Sequence, residues 1–113
     1  MHELGVVKAV IQTVESIMVQ EKLETVQKIV LEIGELSGVV PAYLEACYPA
    51  AVYNTAMEHT ELAIETIPGM ARCIRCNELF RAYEQDFICP HCGGKDLEAV
   101  SGKELMIKQI VGY

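Results

Sequence analysis

Residues 73–92 read CIRCNELFRAYEQDFICPHC, and this stretch decides the architecture. Cys73, Cys76, Cys89 and Cys92 stand in a C-x2-C-x12-C-x2-C arrangement. Each two-residue spacer lets the chain turn so that both sulfurs of a pair face one ion. Gly93 follows the second pair, where tolerance of positive φ eases the turn, and Asn77 holds that place after the first pair. Four thiolates close a tetrahedral shell, which favours zinc in a structural role. Iron in a rubredoxin-like site is the competing metal for the same ligands. A redox dithiol needs one C-x-x-C, whereas two at ribbon spacing point to a shared ion. His91 reads as an exposed spacer, because the four sulfurs already complete the shell.

Strand patterns flank the cysteines. Upstream, ELAIETI (61–67) alternates Leu62 and Ile64 against Glu61 and Glu65, and Pro68 and Gly69 close it. Downstream, KELMIKQIV (103–111) makes another strand. The cysteine segment therefore interrupts a strand-to-strand connection, as a metal module at the tip of a hairpin whose strands extend the main sheet. A further strand is expected in QKIVLEIGEL (27–36), with Ile29, Leu31 and Ile33 on one face and Lys28 and Glu32 on the other.

Two helices complete the pattern. From Glu3 to about Glu21, Leu4, Val7, Ile11, Val14 and Met18 recur at helical spacing, and Glu3 suits the positive end of the dipole. A second helix from Ala42 to Met57 follows Pro41 and is expected to bury Leu44, Cys47, Tyr48 and Ala51. Pro49 predicts a kink there, or two short pieces. The fold class is α+β: a three-stranded sheet covered by two helices on one face, with an inserted zinc-ribbon module. Residues 1–70 plus 96–113 form the body and 71–95 the inserted zinc-binding domain.

At 113 residues, 51% of them apolar, the chain has the length of one domain with a modest core. Its net charge of −7 disfavours a fold-wide attraction to nucleic acid or anionic lipid. No basic segment precedes an apolar run at the N-terminus, and no apolar stretch is long enough to cross a bilayer, so a cytoplasmic protein is expected. Five cysteines in a reducing compartment argue for metal chemistry over disulfides. Cys47, at helical core spacing, reads as a small buried hydrophobe and His59 as a solvated residue.

MHELGVV (1–7) places a histidine directly after methionine. A large second residue protects Met1 from removal, so a free amine is expected one peptide bond from His2. That amine, the His2 amide nitrogen and the imidazole close two fused small rings around one ion, a planar donor set that favours divalent nickel or copper. Glu3 offers a weaker additional ligand. Taken alone, a surface histidine at a chain end is the simpler account.

The wider pattern changes that balance. Met1-His2-Glu3, VLEIGELSGVVPAYLE (30–45), CIRCNELF (73–80), CPHCGG (89–94) and SGKELMIKQI (101–110) occur in one order over almost the whole chain. This combination resembles the HypA/HybF family, the nickel-insertion accessory proteins of NiFe hydrogenase maturation. The resemblance implies a nickel metallochaperone with Ni(2+) bound at His2, Glu3 nearby, and Zn(2+) held by Cys73, Cys76, Cys89 and Cys92. It implies a partner GTPase of the HypB type and delivery to the hydrogenase large subunit; relatives in some bacteria also serve urease. A homodimer is compatible with it.

Two rivals carry less. A zinc-ribbon nucleic-acid or protein interaction module would suit the knuckles, but Ala71–Lys95 holds four basic residues (Arg72, Arg75, Arg81, Lys95) against three acidic (Glu78, Glu84, Asp86), with no basic stripe. A small metalloenzyme would need an open zinc position, which four sulfurs deny, and no Ser/His/Asp or paired-carboxylate constellation is visible. No catalytic residue is therefore expected. Nor is there a phosphate-cradling glycine motif followed by Lys and Ser/Thr.

Overall fold

The structure is a computed structural model that describes residues 3–113. Helix α1 (Glu3–Glu21) leads into β1 (Val26–Gly34), helix α2 (Pro41–Val52) and β2 (Glu61–Ile67). Then come β3 (Met70–Cys73), β4 (Leu79–Arg81), a 3-10 turn at Tyr83–Gln85, β5 (Leu97–Ser101) and β6 (Leu105–Gly112). They build two three-stranded sheets, ordered β2-β1-β6 and β4-β3-β5.

In the first sheet β1 is central, parallel to β2 and antiparallel to β6. The parallel pair needs a crossover, and α2 supplies it. Ile29, Leu31 and Ile33 are buried on one face as their alternation predicts, together with Val7, Val10, Ile11 and Val14 of α1 and Leu44 and Val52 of α2. The core-facing stripe of α1 is displaced from the expected one at its start. Leu4 is exposed and Val10 is buried instead.

Strand β6 changes phase midway. Leu31 pairs with Ile107 but Val30 pairs with Gln109, so Lys108 is an extra residue in a bulge. The bulge keeps Leu105, Ile107 and Ile110 all against the core. It frees Lys108 to reach Glu65 across the sheet, Nζ to Oε2 at 2.7 Å.

Helix α2 ends at Val52, short of the expected Met57, and it is not split at Pro49. The missing Pro49 N–H deprives only the Glu45 carbonyl, and Glu45 and Pro49 are both exposed, so water can satisfy it. Past Val52 the Thr55 hydroxyl donates to the Val52 carbonyl (2.7 Å) and accepts from the Met57 N–H (3.1 Å), turning the chain. Met57 is fully buried from this turn rather than from a helix. Cys47, Tyr48 and Ala51 are half-buried at the core margin. Burial pushes the Tyr48 phenol up to about 12, and its hydroxyl donates to the Thr60 carbonyl at 2.9 Å.

The second sheet is antiparallel throughout, with β3 at its centre. Its core is small: Ala71, Cys73, Phe80, Ala82 and Cys89. The two sheets meet at a neck where backbone touches backbone. The Gly34 N–H donates to the Glu104 carbonyl, Glu35 to Ile67, Leu36 to Gly102 and Ala82 to Gly69, all at 2.8–2.9 Å. A Cβ on Gly34 would lie 2.1 Å from the Gly102 carbonyl oxygen, so the connection between β5 and β6 can pass this close to β1 only because that carbon is absent.

Candidate metal centre

The four cysteines predicted to share an ion are brought together by two turns of the same design. In the first knuckle the Asn77 N–H donates to the Cys73 carbonyl at 2.8 Å, and the Cys73 N–H donates to Glu78 at 2.9 Å. In the second, Gly93 donates to Cys89 and Cys89 to Gly94, each at 2.9 Å. Asn77 and Gly93 occupy the matching left-handed positions, φ 64° and 74°. The first knuckle caps the β3–β4 hairpin, and the second precedes β5, which pairs back onto β3 with Cys73 opposite Leu97. Strand pairing and turn geometry thus deliver both knuckles to one end of the second sheet.

All four sulfurs lie within 4.8 Å of one another, and this is the metal-ligating cluster among the described residues. Cys73 Sγ lies 3.5 Å from Cys92 Sγ, and Cys76 Sγ 3.5 Å from Cys89 Sγ. A tetrahedral ion with Zn–S bonds of about 2.3 Å requires S–S edges of about 3.8 Å. The observed span brackets that value, so the donor set fits zinc in both chemistry and size. Cys73 and Cys89 are buried, Cys76 is half-buried and Cys92 is exposed. The shell is therefore open to solvent at Cys92 and in part at Cys76, and the neighbouring Arg75 and His91 are exposed as well.

The thiols already influence one another. Burial raises the Cys89 thiol, but the backbone N–H groups of Cys92 and His91, with the Cys76 and Cys92 thiols, outweigh it and lower it to about 6. Cys76 moves the other way. The Glu78 N–H favours its thiolate, but burial and the Cys89, Cys92 and Cys73 sulfurs prevail and raise it to about 12. One thiolate forms easily and its neighbours then resist ionising, an arrangement that a divalent cation resolves by attracting all four thiolates and offsetting half of their charge.

His91 is exposed and contributes no ligand to the cluster, as expected of a spacer; His59 is exposed as well. Met1 and His2 lie outside the described residues, and with them the expected nickel chelate. Glu3 is described, and its Oε2 accepts a hydrogen bond from the Val40 N–H at 3.2 Å.

One feature of the site escaped sequence reasoning. Glu35, in the loop after β1, accepts from Arg81 of β4 through two bonds, Oε1–Nε at 3.1 Å and Oε2–Nη2 at 2.8 Å. The Gly69 N–H adds a third at 2.7 Å, and Arg81 Nη1 reaches Glu84 at 3.1 Å. The hydrogen bond from Arg81, helped by that from Gly69, holds the Glu35 carboxyl below its usual range. This clasp ties the metal module to the first sheet. Its members lie 46 residues apart, with no local signal to pair them.

Fold and site together define a metal-handling accessory protein: a small α/β body that carries a four-thiolate module on a backbone neck. The family model described as "Hydrogenase/urease nickel incorporation, metallochaperone, hypA" matches residues 1–112, and the chain belongs to that family, HypA. A hydrogenase maturation factor HypA of Geobacter metallireducens is 36% identical over 110 residues, 97% of each chain. Another, of Streptomyces avermitilis, is 38% identical over 112 residues, 97% of this chain and 86% of that one. The solution structure of the Ni metallochaperone HypA from Helicobacter pylori shares the fold, with a TM-score of 0.70 and 20% identity over 99% of this chain and 97% of that one. Nickel incorporation is the work of the family, and the four-cysteine cluster fits zinc.

Proposed function

We propose that this chain delivers Ni(II) for maturation of NiFe hydrogenase, binding nickel at its N-terminus and structural zinc at Cys73, Cys76, Cys89 and Cys92. The observation that carries the reading is the family match beginning at residue 1, which takes in Met1-His2-Glu3 as well as both knuckles. Nickel is cargo, so its site must exclude competitors and still release the ion. A terminal site suits this, because a chain end can peel away as an acceptor's ligands replace its own. The amine and imidazole also bind protons near neutrality, which makes retention of nickel pH-sensitive.

The zinc site has the opposite character. Its four thiolates leave no open position, so zinc fixes the module's shape and performs no chemistry. The two sheets divide the work accordingly: residues 1–70 plus 96–113 carry nickel and 71–95 carry zinc, with β5 extending the zinc side to Ser101 by its pairing with β3. The chain acts as a chaperone and not as an enzyme, in the cytoplasm, where no helix among the described residues is long and apolar enough to cross a membrane. It works with a GTPase of the HypB type, which hydrolyses the nucleotide, and the hydrogenase large subunit receives the metal. Urease maturation is a second outlet, supported by the wording of the family description.

Titration calorimetry at fixed pH tests the nickel site on untagged, N-terminally extended and His2→Ala chains. Untagged protein should bind one nickel, and His2→Ala should not, with zinc content unchanged in both. Extension should weaken binding because it converts the amine to a non-basic amide. An unchanged affinity in untagged His2→Ala would sink the proposal.

A further inference from the structure

The carboxylate of Glu3 has a structural task that competes with nickel ligation. Glu3 opens α1, and its Oε2 meets the backbone N–H of Val40, 37 residues away, at 3.2 Å. Val40 is the N-cap residue of α2, it supplies no side-chain cap, and Pro41 follows it. An aliphatic cap followed by a residue without an N–H leaves the start of this helix without a local anion or acceptor. Among the described residues, Glu3 is the acceptor that the Val40 N–H finds. A carboxylate at this end is also favoured by the helix dipole.

Chelate geometry points the same way. The terminal amine, the His2 amide and the imidazole close small fused rings, whereas a Glu3 carboxylate joining that set would close a far larger one, which gains little from chelation. We propose that Glu3 is a positioning residue: its carboxylate straps the first turn of α1 to the start of α2 and so anchors the backbone at residue 3, directly after the residues proposed to hold nickel. Val40 also lines a cleft of about 290 Å³ with Glu35 and with Tyr83 of the metal module. The strap therefore holds Glu3 at Val40, on the rim of this cleft. This inference rests on the terminal nickel site proposed above.

The test compares Glu3→Gln and Glu3→Ala in the untagged, zinc-loaded chain. Gln keeps an oxygen that can accept from Val40 but is a poor nickel donor; Ala keeps neither. Hydrogen exchange of the Val40 amide, measured without nickel, reads the strap itself. It should speed up about ten-fold in Glu3→Ala, the value of one ordinary hydrogen bond, and stay near wild type in Glu3→Gln. Nickel affinity should fall about ten-fold in Glu3→Ala and be rescued in Glu3→Gln, with the nickel visible absorption bands the same in all three. Altered bands and lost affinity in Glu3→Gln would make Glu3 a ligand and overturn the proposal, as would unchanged Val40 exchange in Glu3→Ala. Failure of the terminal nickel site itself would appear separately, as absent nickel binding in the wild-type chain with the Val40 exchange pattern intact.

Discussion

Gly38 and Gly102 share a left-handed backbone, φ 81° and 69°, but a methyl group would meet different surroundings at each. At Gly38 nothing lies within 4 Å, whereas at Gly102 the new carbon would sit 2.4 Å from the Pro68 carbonyl oxygen and 2.8 Å from Gly69 Cα. Both substitutions meet the left-handed penalty, but only Gly102→Ala must also push apart the backbone of the neck. Gly38→Ala should therefore cost about 1 kcal/mol, partly offset by the stiffer unfolded chain. Gly102→Ala should cost about 3 kcal/mol once overpacking is added. Urea unfolding of the two variants measures the difference directly, and equal losses would mean that the neck yields freely. The same scale explains why the cysteine ligands were readable and the clasp was not. A knuckle is written in four consecutive residues and the residue after them, while Glu35 and Arg81 have only tertiary structure to pair them.

Among the elements, the clasp between the β1 loop and β4 fixes the metal module against the body, together with Leu36 of that loop, which packs on the module's apolar cluster. Its carboxylate is held below its ordinary pKa by Arg81 and by the Gly69 N–H. A depressed folded-state pKa gives stability that is fully present above the unfolded carboxylate value and disappears as pH falls through the folded one. Wild-type protein should thus lose stability relative to Glu35→Gln as pH drops from about 5 toward 3. Zinc loss at acid pH affects both proteins alike, so the difference between them isolates the carboxylate. A Glu35 side-chain carbon that titrates at or above the ordinary value by NMR would refute the assignment. The elements of the first sheet were legible because their apolar periodicity is set by a shared core: α1, β1, β2 and β6 fall where Val7, Ile29, Leu62 and Leu105 require. Strand β6 even carries its bulge in the three-residue step from Ile107 to Ile110. Strands β3, β4 and β5 are three to five residues long, too short for an apolar period to stand out, and β5 is mostly exposed. Pairing onto β3, with burial of Ala71, Cys73 and Phe80, makes them strands.

At the scale of the whole molecule the two sheets differ in what holds them. Among the described residues, the first encloses a core of twelve buried apolar residues, from Val7 of α1 to Met57 after α2. The second has five, and two of these, Cys73 and Cys89, are metal ligands themselves. A module with so few apolar side chains cannot offset the conformational entropy of ordering residues 70–101 by burial alone, so the ion must supply the difference. Removing zinc with a strong chelator should therefore melt β3, β4 and β5 and leave the first sheet folded. Cys92→Ala should do the same without chelator, because it opens the shell at its exposed corner. Hydrogen exchange read by strand is the appropriate measurement: amides of Ala71 and Phe80 should lose protection by orders of magnitude while those of Ile29 and Leu31 keep theirs. If the first sheet lost protection together with the second, the molecule would be one cooperative unit and zinc would stabilise all of it. If neither lost protection, the small apolar cluster and the Glu35–Arg81 clasp would be enough to hold the module, and the cysteines would not owe their arrangement to a structural ion.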